Sequence, residues 1–229
     1  MIKILLIVEG ILDQLLLNSI TKLFDEKQVE IESVNGDLLK NKDFVNSYEN
    51  IVSDKLSKEK IFNLEDFDEI CFVTDTDGCF IDEENIIIDE NNKTIKYNDY
   101  SIICSNTSVK EELRIKSNNI KKIINNNLFY IYYNSCNLEH AFGGERNNTS
   151  IEKKKFALWF TKRYYNRIND FLSLLISINH AETIDYKESW NYIIKDYNSL
   201  NNSSNIIIFL FQHINLLKKE YKNILLNEQ

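Results

Sequence analysis

Four acidic side chains in this chain follow apolar runs at the points where strands should end. Glu9 follows Ile2–Val8, Asp75 and Asp77 follow Glu69–Thr74, and Glu139 comes soon after Leu128–Tyr133. Asp13 lies one helical turn beyond Glu9, so the two can share a face at a helix entrance. Carboxylates gathered in this way repel one another and are costly to desolvate. A hard divalent cation such as Mg2+ is the usual neutraliser, because it prefers oxygen ligands. Gly10 and Gly78, two of only 5 glycines, sit beside these carboxylates, where a tight turn would demand a residue without a Cβ.

Other residues could serve the same site. Asn137 and His140 flank Glu139, and His140 could contact a phosphate or a metal as readily as it could be an ordinary loop histidine. Lys110 and Arg114, with Lys121 and Lys122, lie on one helical stretch that could meet a polyanion backbone. Lys153, Lys154 and Lys155, followed by Lys162 and Arg163, interleave with Phe156, Trp159, Phe160, Tyr164 and Tyr165. Basic residues among aromatics can hold phosphates and stack bases. The simpler reading is an amphipathic helix whose aromatics are core, and it is preferred here for the aromatics.

The elements that must position these residues are legible from periodicity. Ile2–Val8 is a nearly continuous apolar run, as in a strand covered on both faces. Residues 11–24 repeat at helical spacing, 29–34 alternate with period two, and about 43–56 reads as a helix. Residues 79–104 read as an inserted hairpin, 85–89 against 94–97 across a polar turn, followed by a strand at 100–104. Thr107 or Ser108 is expected to cap a helix running to about Ile124. From 151 onward the pattern turns helical, over roughly 153–177, 186–198 and 204–226. The expected architecture is α/β, a mostly parallel Rossmann-like sheet flanked by helices over residues 1–145, with a helical C-terminal region over 146–229.

Composition agrees with a folded chain of 229 residues, with 43% hydrophobic and 12% aromatic content. The net charge of −8 hides an asymmetry: residues 1–105 hold 10 basic and 23 acidic side chains, and the remainder hold 17 and 12. An acidic half beside a basic half fits a metal site facing a polyanion. Cys71, Cys79, Cys104 and Cys136 lack CxxC spacing and are expected as reduced thiols, not zinc ligands. The apolar N-terminus is interrupted at Glu9 with no cleavage site after it, so it is read as a strand of a cytoplasmic protein, with no membrane span.

Val8-Glu9-Gly10 followed by Asp13, with Asp75-Thr76-Asp77 after a later strand, resembles the Toprim domain, over about residues 2–142. That fold is shared by topoisomerases, primases and several nuclease groups. Asn137-Leu138-Glu139 resembles the corresponding segment of RloB-like, phage-defence-associated members, with Cys136 where a proline is common. The resemblance implies Glu9 as general acid/base and additional metal ligand, Asp75 and Asp77 as ligands of Mg2+ or Mn2+, and Asp13 in support. It implies metal-assisted phosphodiester hydrolysis of RNA or DNA. Two alternatives are kept. Phe72–Gly78 also resembles the nucleophile motif of haloacid-dehalogenase-type phosphatases, which would make Asp75 the nucleophile and Asp77 the acid/base. The other is a non-catalytic Toprim-fold sensor acting with a partner protein encoded alongside it.

Overall fold

A computed structural model describes residues 1–59 and 63–227. Four strands, β1 (Ile2–Val8), β2 (Val29–Asn35), β3 (Glu69–Asp75) and β7 (Tyr130–Asn134), form an all-parallel sheet in the order β2-β1-β3-β7. The chain is therefore α/β, with helices on both sheet faces. Alternate residues of β1 serve the two faces: Ile4, Leu6 and Val8 enter one buried cluster, Leu5 and Ile7 the other. Burial on both sides is the reason β1 carries an apolar run where a one-sided strand would alternate.

On the first face lie α1 (Ile11–Thr21), the short α4 (Leu138–Ala141), α5 (Ser150–Tyr164), α6 (Ile168–Ser177), α8 (Ile206–Gln212) and α9 (Lys219–Asn227). The second face is covered by α2 (Phe44–Glu59), α3 (Thr107–Asn126) and α7 (Tyr186–Ile194). Helices from 150 onward thus contribute to both cores. Among the described residues no helix is long and apolar enough to cross a membrane. All four cysteines are free and buried.

Four local expectations are corrected. In the insertion, β4 (Ile86–Ile88) and β5 (Lys96–Tyr97) do not pair with each other; β6 (Ile102–Cys104) lies between them, parallel to β4 and antiparallel to β5. Asn92 explains the rearrangement: its buried side chain donates to Thr94 O and Ile103 O, which folds the polar turn onto β6. The α3 cap is Asn106, whose Oδ1 accepts from the backbones of Ser108 and Val109. The long helix expected over 153–177 is two helices, broken between Tyr164 and Ile168, and the stretch 204–226 is likewise divided.

Strand order decides where a site can form. From β1 the chain moves to β2 on one side, then crosses β1 to place β3 on the other. The carboxyl ends of β1 and β3 therefore flank a topological switch point, where open α/β sheets gather ligands.

Candidate active site

Glu9 follows β1 and Asp75 ends β3, so both stand at that switch point. Asp75 lies in register with Asn134 of β7, whose Nδ2 donates to Asp75 Oδ1 at 3.3 Å. Beyond β3 the chain turns sharply. Thr76 N donates to Asn134 O and Asp77 N to Cys136 O, each at 2.8 Å. Asp77 and Cys136 both take positive φ, 50° and 59°, an uncommon state for non-glycine residues. Gly78 follows at φ 68°, and a Cβ there would meet Leu200 Cδ2 at 2.5 Å and Ile102 Cδ1 at 2.8 Å. A segment of the helical region fixes this turn: Thr76 Oγ1 and Cys136 N both donate to Ser199 O at 2.8 Å, and Ser135 N donates to Ser203 O at 2.7 Å.

Two lysines unforeseen in the sequence enter the cluster. Lys116, on α3 and fully buried, reaches Glu9 Oε1 at 2.6 Å and Asp77 Oδ2 at 2.8 Å. Lys40 reaches the same Asp77 oxygen at 3.2 Å and Asp37 at 2.7 Å. Tyr97 of the insertion donates its hydroxyl to Asp77 Oδ1 at 3.2 Å, and Thr74 donates to Glu9 Oε1. Both oxygens of Asp77 are thereby engaged. Lys116 left one sequence signal: it occupies the apolar stripe of its helix, between buried Leu113 and Ile120, where a lysine needs a buried partner. Lys110 and Arg114, singled out from that helix, are engaged elsewhere, Lys110 with Glu83 and Arg114 with Glu111.

The remaining carboxylates are less well matched. Asp13 accepts from Gly10 N at 2.7 Å, which ties it to the end of β1. Glu139, on α4, is 3% exposed, and its Oε2 has no hydrogen-bond partner among the described residues. Lys153 Nζ approaches that oxygen at 3.2 Å, close enough for ion pairing but not aligned as a hydrogen bond. Asn137 is engaged within its own turn: its Oδ1 caps α4 by accepting from His140 N, and its Nδ2 donates to Arg146 O. His140 turns to Arg146, whose Nε lies 3.3 Å from its Nε2. Lys154 and Lys155 are exposed on α5.

Protonation follows this division. Burial pushes Glu9 up to about 7, against the opposing pull of Lys116. It pushes Asp13 up to about 6, with Glu139 adding repulsion. Asp75 is driven well above the carboxylate range by burial and then by Asp13, Glu9 and Asp77. At Asp77 burial acts in the same sense, but Lys116 and Lys40 overcome it and hold the group below its ordinary value.

Among the described residues, six carboxylates (Glu9, Asp13, Asp37, Asp75, Asp77 and Glu139) share three lysines (Lys40, Lys116 and Lys153). Full ionisation would leave a surplus of negative charge, most of all at Asp13 and Asp75, for which no lysine ion pair is formed among the described residues. Asp13, Asp75 and Glu139 all supply hard oxygen donors, and the buried Glu139 Oε2, which Lys153 approaches, has no aligned hydrogen bond among the described residues. A hard cation suits that donor set. It is not a finished cage, since no group of three or more His, Cys, Asp or Glu among the described residues is arranged to hold a metal.

Fold and site together define an α/β protein with an acidic, lysine-braced site at the switch point of a parallel sheet. No protein-family model, curated protein or solved structure matches the chain.

Proposed function

We propose that this chain is a Toprim-type, Mg2+- or Mn2+-dependent phosphodiester hydrolase acting on nucleic acid. The observation that carries the proposal is the surplus of negative charge around Asp75 at the β1/β3 switch point, beside carboxylates already neutralised by lysines. Asp75, Asp13 and Glu139 are the residues that would hold the cation. When bound, the cation would polarise a phosphoryl oxygen and lower the pKa of a bound water. Glu9, with proton affinity near neutrality and Oε1 held by Lys116 and Thr74, is placed to take up the proton released. Asp77 serves by position: its two oxygens hold Lys116, Lys40 and Tyr97, so it orients the lysine that orients Glu9. In this the reading departs from the plain resemblance, which makes Asp77 a metal ligand.

The phosphatase alternative needs Asp77 to exchange a proton with a leaving group. An aspartate whose oxygens are occupied by two ammonium groups and a phenol is poorly placed for that. Support for a defence setting or for a partner protein encoded alongside comes from the RloB-like resemblance alone.

The test is cleavage of labelled single- and double-stranded RNA and DNA with Mg2+ or Mn2+, beside calorimetric titration of the metal. Asp75→Asn is expected to lower hydrolysis by at least about 100-fold, as when a group acting in the transition state is removed, and to weaken metal binding. Wild-type protein that neither binds the metal nor cleaves any of the four substrates would sink the proposal.

A further inference from the structure

Helix α5 carries side chains that its packing does not use. Phe160 and Tyr164 are buried and Phe156 is partly so, as an amphipathic core helix requires. Trp159 is nonetheless 49% exposed and Leu158 69% exposed. Two adjacent rows at four-residue spacing form the outer face: Lys155, Trp159 and Arg163, and beside them Lys154, Leu158 and Lys162, all exposed. Arg163 lies over the Trp159 ring at 5.4 Å. Beyond the helix end, Lys22 of the chain just after α1 stands 4.2 Å over the Tyr165 ring, and Tyr165 is 59% exposed. Within α5 five basic residues stand against Glu152 alone, in a chain of net charge −8. Lys153, from the same helix, reaches into the site at Glu139. The strip therefore begins at the carboxylate cluster and runs outward about 15 Å over ten residues of helix.

We infer that this face of α5 is a track for single-stranded nucleic acid, leading a strand to the carboxylate site. The inference rests on the nucleic-acid reading of that site and adds which strand form is bound, and where. Lys154, Lys155, Lys162 and Arg163 match a chain of phosphates in charge. Trp159 offers an exposed ring on which an unpaired base can stack, which a base inside a duplex cannot do. A second copy of the chain is the rival occupant, because Leu158 and Trp159 are also apolar. The density of like charge on the face disfavours it, since two copies facing each other would oppose lysine to lysine.

Trp159 reports its own occupancy, because the other tryptophan, Trp190, is 1% exposed. In chelator, so that nothing is cleaved, a thymidine or uridine strand about 15 nucleotides long should quench the emission of the full chain, and a duplex of equal length should not. The quench should vanish in Trp159→Phe, and Trp159→Ala should weaken strand binding about tenfold. The pair Lys154→Glu and Lys155→Glu should weaken it further and flatten its salt dependence. Asp75→Asn should bind and quench like wild type, which separates the track from hydrolysis. Strand binding that leaves Trp159 emission and the Trp159→Ala affinity unchanged would overturn the track while the site reading stood. So would a concentration-dependent dimer that Trp159→Ala dissolves, with no quench by any strand. Quenching without cleavage under any metal would keep the track and remove the hydrolase.

Discussion

The two sides of the carboxylate cluster differ in how their charge is met. On the Glu9 and Asp77 side, Lys116 and Lys40 supply fixed ammonium groups at 2.6 to 3.2 Å, and Tyr97 and Thr74 fill remaining positions. On the Asp13, Asp75 and Glu139 side, the lysine ion pair formed among the described residues is that of Lys153 with Glu139, and one carboxylate oxygen there has no hydrogen bond. The first side has lysines of the protein's own against its carboxylates. The second is still short of positive charge, which is the property expected of a place that takes a cation from solution.

The largest effect should come from breaking the lysine-filled side. Lys116→Met removes the buried ammonium shared by Glu9 and Asp77, leaving Glu9 without its lysine and Asp77 with Lys40 alone; removing one partner of a buried pair costs about 3–5 kcal/mol. Urea unfolding would measure it. A loss below about 1 kcal/mol would mean that the lysine is not the counter-ion it resembles.

A smaller but more diagnostic effect follows from pH, across both sides of the cluster. Glu9 and Asp13 have folded-state pKa values near 7 and 6, above their ordinary 4.5 and 3.8, and Asp75 is raised as well. Each takes up a proton on folding, so its contribution is complete below its ordinary pKa and is lost as pH rises through the raised one. Asp77 runs the opposite way, contributing above its ordinary 3.8 and losing that only in acid. Metal-free protein should therefore lose stability between about pH 5 and pH 8. Mg2+ at about 100 times its Kd should restore about 2.7 kcal/mol, more at the alkaline end than at the acid end, and should release protons on binding. A stability profile that is flat in pH and indifferent to Mg2+ would erase the distinction between the two sides.

The turn that joins them is the next target. Gly78→Ala adds a Cβ at positive φ into contact with Leu200 and Ile102, so a loss of about 1–3 kcal/mol is expected by chemical denaturation. Smallest of all, Arg114→Ala removes an exposed ion pair with Glu111 and should change stability by less than about 0.5 kcal/mol and leave cleavage untouched. A clear loss of cleavage in that variant would return Arg114 to the substrate path.

Much of the framework was legible in advance. The strands ending at Glu9 and at Asp75 were visible because two-sided burial demands an apolar run, and the carboxylates interrupt it abruptly. The insertion was legible only as strand-forming segments. Which of them pair was settled by the Asn92 side chain bridging to Ile103, a contact with no periodic signature.

By itself, the sequence determined the α/β alternation and the placing of Glu9, Asp13, Asp75, Asp77 and Glu139 at element ends, because local periodicity and turn chemistry act over a few residues. Tertiary structure alone decided how those charges are balanced. Lys116 meets Glu9 from 107 positions away, and Ser199 supports Thr76 from 123 away. Such pairings depend on strand order and helix rotation, which bring distant side chains into one low-dielectric space where an unmatched charge is costly. The split between a lysine-filled side and a side short of positive charge exists only once the sheet has formed.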